Sequence, residues 1–373
     1  MKTRILLLGA GGATGRTCLG ILAADPNVAL TVAGRNPRRL RELCASLPVV
    51  CCCETIDFDA LAHDGVTLVE LALHADVVVN CAGPSHHHSK SVAAIVMMCG
   101  AVYIDPGLDR DTIDRLNRCR PADGVAVVQT GVQPGISELA VRLLAQRLGG
   151  RADSIVAWCG GLQPLTRAAA ADYLAGLTMA HAGPVVRRAG VPVRMRPTDA
   201  SPPPPGVFPP SARGRIHLDA ETAAAGEHIG AADIEWMNMI DGDRTERLIQ
   251  SYYGATGQAP TTAAEIDRLC AAATADLFGR EQYFALLVRA RRDGRTSSFL
   301  LRARDSYAVT GATTAWAATH AHSLPAGIHR LATLDSSIAL VEDPQLSATA
   351  RVHIADSTTE QAERHDSYEQ GLL

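Results

Sequence analysis

The sequence predicts an α/β fold whose N-terminal part is a parallel, doubly wound sheet. Three observations carry this. Short apolar runs of strand length recur along the first 130 residues, segments of helical patterning separate them, and the first run ends in the loop Gly9-Ala10-Gly11-Gly12-Ala13-Thr14-Gly15. Taken in order, strands are expected over residues 4–8, 28–33, 49–53, 76–80, 101–105 and 125–130. Helices are expected over 16–24, which Asp25-Pro26-Asn27 stops, and over 37–46, which opens on proline. Further helices are expected over 68–74, 89–99 and 111–118.

After Gly131 the texture changes. Residues 137–148 read as a helix with Ser137 as its N-cap, and 154–159 as a strand running into Gly160-Gly161. Residues 283–291 and 296–303 read as a strand pair turning at Asp293-Gly294, and 310–322 as an alanine-rich helix. Residues 197–215 contain seven prolines and cannot hold regular structure for long. They read as a solvated loop, with a lid or a dimer arm as the alternative. The tail from 356 is polar and reads as frayed.

Composition narrows the class. With 373 residues, 47% of them hydrophobic, the chain has material for two cores. A net charge of -4 argues against a nucleic-acid partner. Lysine occurs only at Lys2 and Lys90. The ten cysteines form no Cys-x-x-Cys pair and are expected as reduced thiols. A metal at Cys51-Cys52-Cys53 is set aside, because neighbouring strand residues point to opposite faces and a closed zinc site needs four ligands. No leader pattern and no apolar stretch of about 18 residues is present, so a cytoplasmic protein with no membrane partner is expected.

The chemistry starts at the glycine loop. Gly9 permits a tight turn, Gly11 or Gly12 lets backbone approach a pyrophosphate, and Gly15 lets the following helix pack on the strand. The helix N-terminus, with Ala13 and Thr14, offers N–H groups and a positive dipole end to phosphate. The preceding strand and following helix make this a Rossmann-type dinucleotide site. An NAD site carries an acid about 20 residues on. Here the second strand ends Ala33-Gly34-Arg35-Asn36, without a carboxylate, and Arg35 offers a guanidinium to a 2′-phosphate, with Arg38 or Arg39 as a second charge. NADP is therefore the expected cofactor.

Other loops at the carboxyl edge add candidates. Asn80, Ala82, Gly83 and Pro84 would let ribose and nicotinamide pass close to backbone. His86-His87-His88 follows at a helix start; three consecutive rings cannot all face one ion, and His88 is a candidate for proton transfer. Asp105 could orient an amine, or could simply cap its loop. Gln133 and Pro134 could form a substrate wall, and Tyr173 and Trp236 are further pocket candidates, Tyr173 with a catalytic role. Short-chain dehydrogenase chemistry is excluded, because it needs a Tyr-x-x-x-Lys pair and Lys90 has His86 four residues before it.

Together, residues 9–16, Ala33-Gly34-Arg35-Asn36, 78–84, 103–105 and 131–139 resemble the saccharopine dehydrogenase family, above all its NADP-binding domain. The resemblance implies cofactor roles for Gly9, Gly12, Gly15, Arg35, Asn80 and Gly83. It also implies an α+β domain with a mixed sheet, inserted before the chain returns to complete the Rossmann half. The expected division is 1–130 with about 306–355, then 131–305, then a tail over 356–373. The implied activity is reversible hydride transfer between NADP(H) and a small-molecule secondary amine or imine, derived from an amino acid, in a homodimer. A carboxylate-rich substrate would call for arginines, and Arg167, Arg187, Arg188, Arg194 and Arg196 are available. The alternatives are a trans-acting enoyl reductase and a silent NADP(H)-binding sensor or scaffold.

Overall fold

The computed structural model describes residues 2–47, 49, 51–58, 65–179, 184–196, 199–254 and 262–358. The chain forms two compact units, Met1–Ile136 with Ser306–Thr349, and Ser137–Asp305 with Ala350–Leu373.

The first unit alternates β1 (Thr3–Leu8), α1 (Ala13–Ala24), β2 (Val28–Gly34), α2 (Pro37–Ala45), β3 (Cys52–Thr55), α3 (Val66–Leu73), β4 (Val77–Asn80), α4 (Ser85–Met98), β5 (Val102–Asp105), α5 (Arg110–Cys119) and β6 (Val125–Val128). The strands lie in the order β3-β2-β1-β4-β5-β6, every neighbouring pair parallel. The order reverses between β1 and β4, which opens a crevice beyond their carboxyl ends. Leu6, Leu8, Val78 and Tyr103 join a core with Val92, Val96 and Ile113 of the helices. Ile5 and Leu7 point the other way and are also buried, so the sheet is covered on both faces. That double burial is why β1 reads as an unbroken apolar run.

The second unit holds α6 (Ile136–Arg147), β7 (Ser154–Leu162), α7 (Arg167–Met179), β8 (Val185–Arg188), β9 (Val191–Arg194), β10 (Arg213–Ile216), α8 (Ala220–His228), β11 (Asp233–Ile240), α9 (Asp243–Gly254), α10 (Ala263–Asp276), β12 (Tyr283–Arg292) and β13 (Arg295–Ala303). The chain then returns to the first unit with α11 (Ser306–His320), β14 (Gly327–Arg330) and α12 (Pro344–Ser347). β14 adds a seventh parallel strand beside β6. The last strand, β15 (Ala350–Thr358), pairs with β13. Residues 350–355 thus belong to the second sheet and not to the Rossmann return, and the polar segment through Thr358 is strand where fraying was expected.

The second sheet runs β15-β13-β12-β7-β11-β8-β9, with β10 also on β11. β7 and β11 are parallel and the other pairs antiparallel, a mixed sheet. Asp293 (φ 50) and Gly294 (φ 71) make the β12–β13 turn, the two positive φ values that a twist-matched two-residue hairpin requires.

Four expectations change here. Ser137 lies inside α6, where its hydroxyl donates to Glu138 at 2.8 Å; it does not cap the helix. α4 begins at Ser85, so the three histidines are helical. The described part of the proline-rich segment is not a solvated loop. Its Phe208 and Ala212 are buried against Trp158, Met237, Met239, Ala285 and Leu287, and Trp158 Nε1 donates to the Ser201 carbonyl at 2.9 Å. Proline-rich chain can cover a sheet face because its carbonyls and side chains make the contacts that its missing N–H groups cannot. Residues 197 and 198 of that segment lie outside the described residues. Finally, Trp236 is 0% exposed on β11, so it is core and presents no wall to a substrate. No described helix is long and apolar enough to cross a membrane.

Candidate dinucleotide site

The glycine loop leaves β1 at the crevice. Gly9 has φ +75, and a Cβ there would fall 2.6 Å from the backbone of Cys81 and Ala82, in the loop after β4. A Cβ on Gly15 would meet the Gly9 carbonyl and lie 2.9 Å from Ala10 Cα. These two glycines hold the turn and the helix–strand approach. Gly12 N-caps α1 with extended backbone and no side-chain cap, so the N–H groups of the first turn, at Ala13, Thr14 and Gly15, have neither intrahelical nor side-chain acceptors. Gly11 faces open space but for the Arg39 side chain, whose Nε would lie 3.7 Å from a Cβ. This cradle is what a pyrophosphate needs: bare N–H groups, a positive helix end and no Cβ in the way. The residues therefore fit a dinucleotide.

Beside it lies a concavity of about 590 Å³ lined by Arg16, Asn36, Arg38, Arg39 and Glu42. Asn36 caps α2, accepting from the Arg39 N–H at 3.0 Å, which fixes where the arginines of that helix emerge. Arg38 pairs with Glu42 at 2.9 Å. Arg35 is exposed just past the end of β2. The sequence alone does not mark Arg16 as a phosphate ligand, because only the fold brings the first turns of α1 and α2 together.

Of the two parts the sequence allows Asp105, the structure gives it the second, that of holding its own loop, and Asn80 shares the network. Both are 1% exposed. Asn80 Nδ2 lies 2.8 Å from Asp105 Oδ2 and 3.0 Å from the Tyr103 hydroxyl, and Asn80 Oδ1 accepts from the Ala82 N–H at 3.1 Å. Asp105 also accepts from the Gly107 N–H at 2.6 Å and from the Tyr103 hydroxyl. Tyr103 lies 3.2 Å from the Ser89 carbonyl. Asp105 is thus occupied as an acceptor and too buried to meet an amine; with Asn80 it pins the loops after β4 and β5. Burial pushes the Asp105 carboxyl up against the lowering effect of its hydrogen bonds, and burial also pushes the Tyr103 phenol well up. The signal in the sequence was an Asn, a Tyr and an Asp at ends of adjacent strands, a pattern that fits a buried network as well as a catalytic set.

The remaining candidates are dispersed. His88 is half-buried in the first turns of α4, its ring 6.0 Å from Phe58, while His86 and His87 are exposed with rings 4.3 Å apart. Gln133 and Pro134 form a turn after β6, closed by the Ile136 N–H donating to the Gly131 carbonyl at 3.0 Å. Its base is fixed within the unit, since Thr130 and Thr314 hydroxyls meet at 2.9 Å. Tyr173 belongs to the other unit, half-buried against a helical cluster around Ala170, Leu174, Ile249 and Leu269. Of the arginines considered for a carboxylate-rich substrate, Arg167 pairs with Asp267, Arg187 with Glu227, and Arg188 with Glu235 at 2.6 Å.

Residues 5–128 match the family model described as the saccharopine dehydrogenase NADP binding domain. No curated protein matches the chain. Among solved structures, apo saccharopine dehydrogenase (L-Glu forming) from Saccharomyces cerevisiae is similar with a TM-score of 0.67 and 14% identity, over 95% of this chain and 100% of that one. A Gfo/Idh/MocA family oxidoreductase from Vibrio cholerae has a TM-score of 0.37 at 13% identity, covering 82% of this chain and 80% of that one. A putative myo-inositol dehydrogenase from Sinorhizobium meliloti has 0.39 at 13%, covering 92% and 90%. Residues 5–128 are thus similar to the NADP-binding domain of saccharopine dehydrogenases, and over its whole length the chain shares the fold of the yeast enzyme.

Proposed function

We propose that the protein is an NADP(H)-dependent oxidoreductase acting on a C–N bond, reducing an amino-acid-derived imine to a secondary amine or running the reverse. The observation that most supports this is the extent of the structural likeness: it spans 95% of this chain and all of the yeast saccharopine dehydrogenase chain. NADPH, when bound, supplies a hydride with its electron pair to the imine carbon and leaves as NADP⁺, while the protonated nitrogen takes the C=N π pair and becomes the amine.

The chain's own residues bind and position. Amides of Ala13, Thr14 and Gly15 receive the pyrophosphate, with Gly11 and Gly12 giving backbone clearance. Arg35 with Arg16 and Arg39 receives the 2′-phosphate, as planar forks suit phosphate oxygens. Ala82, Gly83 and Pro84 line the passage of ribose and nicotinamide, held in place by Asn80 and Asp105. Gln133 and Pro134 bound the substrate side, and His88 is the side chain assigned to pass a proton.

The test is NADPH oxidation with a panel of 2-oxo acids and aldehydes mixed with amino acids, and NADP⁺ reduction with the corresponding secondary amines. Saturable turnover with at least one imine-forming pair, and the reverse with its amine product, is expected. Turnover confined to carrier-bound enoyl substrates, or tight NADPH binding with no turnover across the panel, would overturn the proposal.

A further inference from the structure

Three of the ten cysteines converge at one place. Cys44 lies in the last turn of α2, and Cys51 and Cys53 bracket the start of β3. Their sulfurs all lie within 4.8 Å of one another, and Cys53 Sγ is 2.9 Å from Cys44 Sγ. All three are half-buried, whereas Cys52 between them is exposed. The alternation of a strand explains this arrangement: two residues apart, Cys51 and Cys53 share a face, and Cys52 takes the other. α2 packs on the first face and supplies the third thiol.

We infer that Cys44, Cys51 and Cys53 bind one thiophilic d¹⁰ cation, of the class of Zn(II), Cu(I) or Cd(II), that ties α2 to β3. Soft thiolates select such ions over harder divalent cations. The spacing suits them. At a metal–sulfur distance of about 2.3 Å, ligand sulfurs stand about 3.8 Å apart in a tetrahedron and about 4.0 Å apart in a trigonal plane. The ion spreads the closest pair by about 1 Å and keeps the others inside the present span, a change small side-chain rotations supply. Three protein ligands leave a trigonal ion complete or a tetrahedral ion with one open position. The two anchoring elements are separated by a short connection, so the ion closes a small loop at the edge of the sheet, beside the strand that ends in Gly34. Three thiols on two elements also answer the objection from strand geometry: the third ligand is not Cys52 but a residue of the preceding helix, and the site is an open three-thiolate one, not a closed four-ligand one.

The test is titration of the full-length, reduced protein with Cd(II), read by its sulfur-to-cadmium charge-transfer absorption, with Zn(II) as competitor. One Cd(II) per chain is expected, together with a rise in melting temperature as the folded state is selected by the ion. Cys52→Ser should change neither readout. Cys44→Ser and Cys53→Ser should each weaken binding by more than about 100-fold, beyond the 10–100-fold that loss of an outer-shell partner costs. NADPH titration of each variant verifies that the first unit is folded, so loss of Cd(II) binding with NADPH binding kept supports the site. Unchanged Cd(II) affinity in Cys53→Ser, no binding by the reduced wild type, or equal loss in Cys52→Ser would overturn it.

Discussion

Replacing Gly9 with valine is expected to abolish NADPH binding and to destabilise the first unit by about 3 kcal/mol or more. A β-branched residue at positive φ is strained by about 1–3 kcal/mol before any contact is considered. The new Cβ must also share space with the backbone of Cys81 and Ala82, 2.6 Å away, where no flexible side chain can yield. The two loops that form the crevice are pushed apart, so cofactor affinity falls with stability. Urea unfolding and NADPH fluorescence titration read the two effects separately. A variant within tenfold of wild-type affinity would show that the loop contact does not shape the site.

The second large effect is expected at Asp105. Asp105→Ala removes an acceptor from Asn80, Tyr103 and Gly107 together, and each buried donor left unpaired costs about 1–3 kcal/mol, so a loss of about 3–5 kcal/mol is expected. Asp105→Asn separates positioning from chemistry. A positioning residue leaves kcat near wild type in Asp105→Asn, whereas a carboxylate that met the amine would take most of kcat with it. The pH dependence has a definite sign. Burial raises the folded-state pKa of Asp105, so its contribution is full below the unfolded value of about 3.9 and is lost as pH rises toward the folded pKa. The stability of wild type relative to Asp105→Asn should therefore fall as pH rises above about 4. Parallel stability curves for the two proteins across that range would contradict the raised pKa.

Much of the first unit was legible because its signals are local. An apolar run buried on both faces, a glycine loop and a helix start follow one another within a few residues, and six strands of the parallel sheet were each found within a few positions of their observed bounds. What was not legible depends on tertiary neighbours. Sequence patterning places the start of α4 four residues late, because three histidines give no apolar period; Pro84, extended at the N-cap position, marks the true start. Asn80 and Asp105 have the residue types of a catalytic pair, and only their burial together with Tyr103 shows the network. Trp236 and Phe208 carry no local mark of which face they take. The strand over 350–358 is polar because its place at the edge of the second sheet leaves much of it exposed. The three-thiol cluster needed the packing of α2 on β3, which no spacing within 51–53 could supply.

The cofactor site has the same division. Arg35 and the absence of an acid at the end of β2 were readable as a preference for a 2′-phosphate. That Arg16 and Arg39 line one concavity was not, since it rests on where two helix starts meet.

Whether this arginine edge makes the protein an NADP(H) binder is read by paired fluorescence titrations with NADPH and NADH. Wild type should prefer NADPH by more than about tenfold, about 1.4 kcal/mol, and the double variant Arg35→Asp/Arg39→Ala should lose that preference while still binding NADH. Equal affinities in the wild type, or a double variant that keeps the preference, would contradict it.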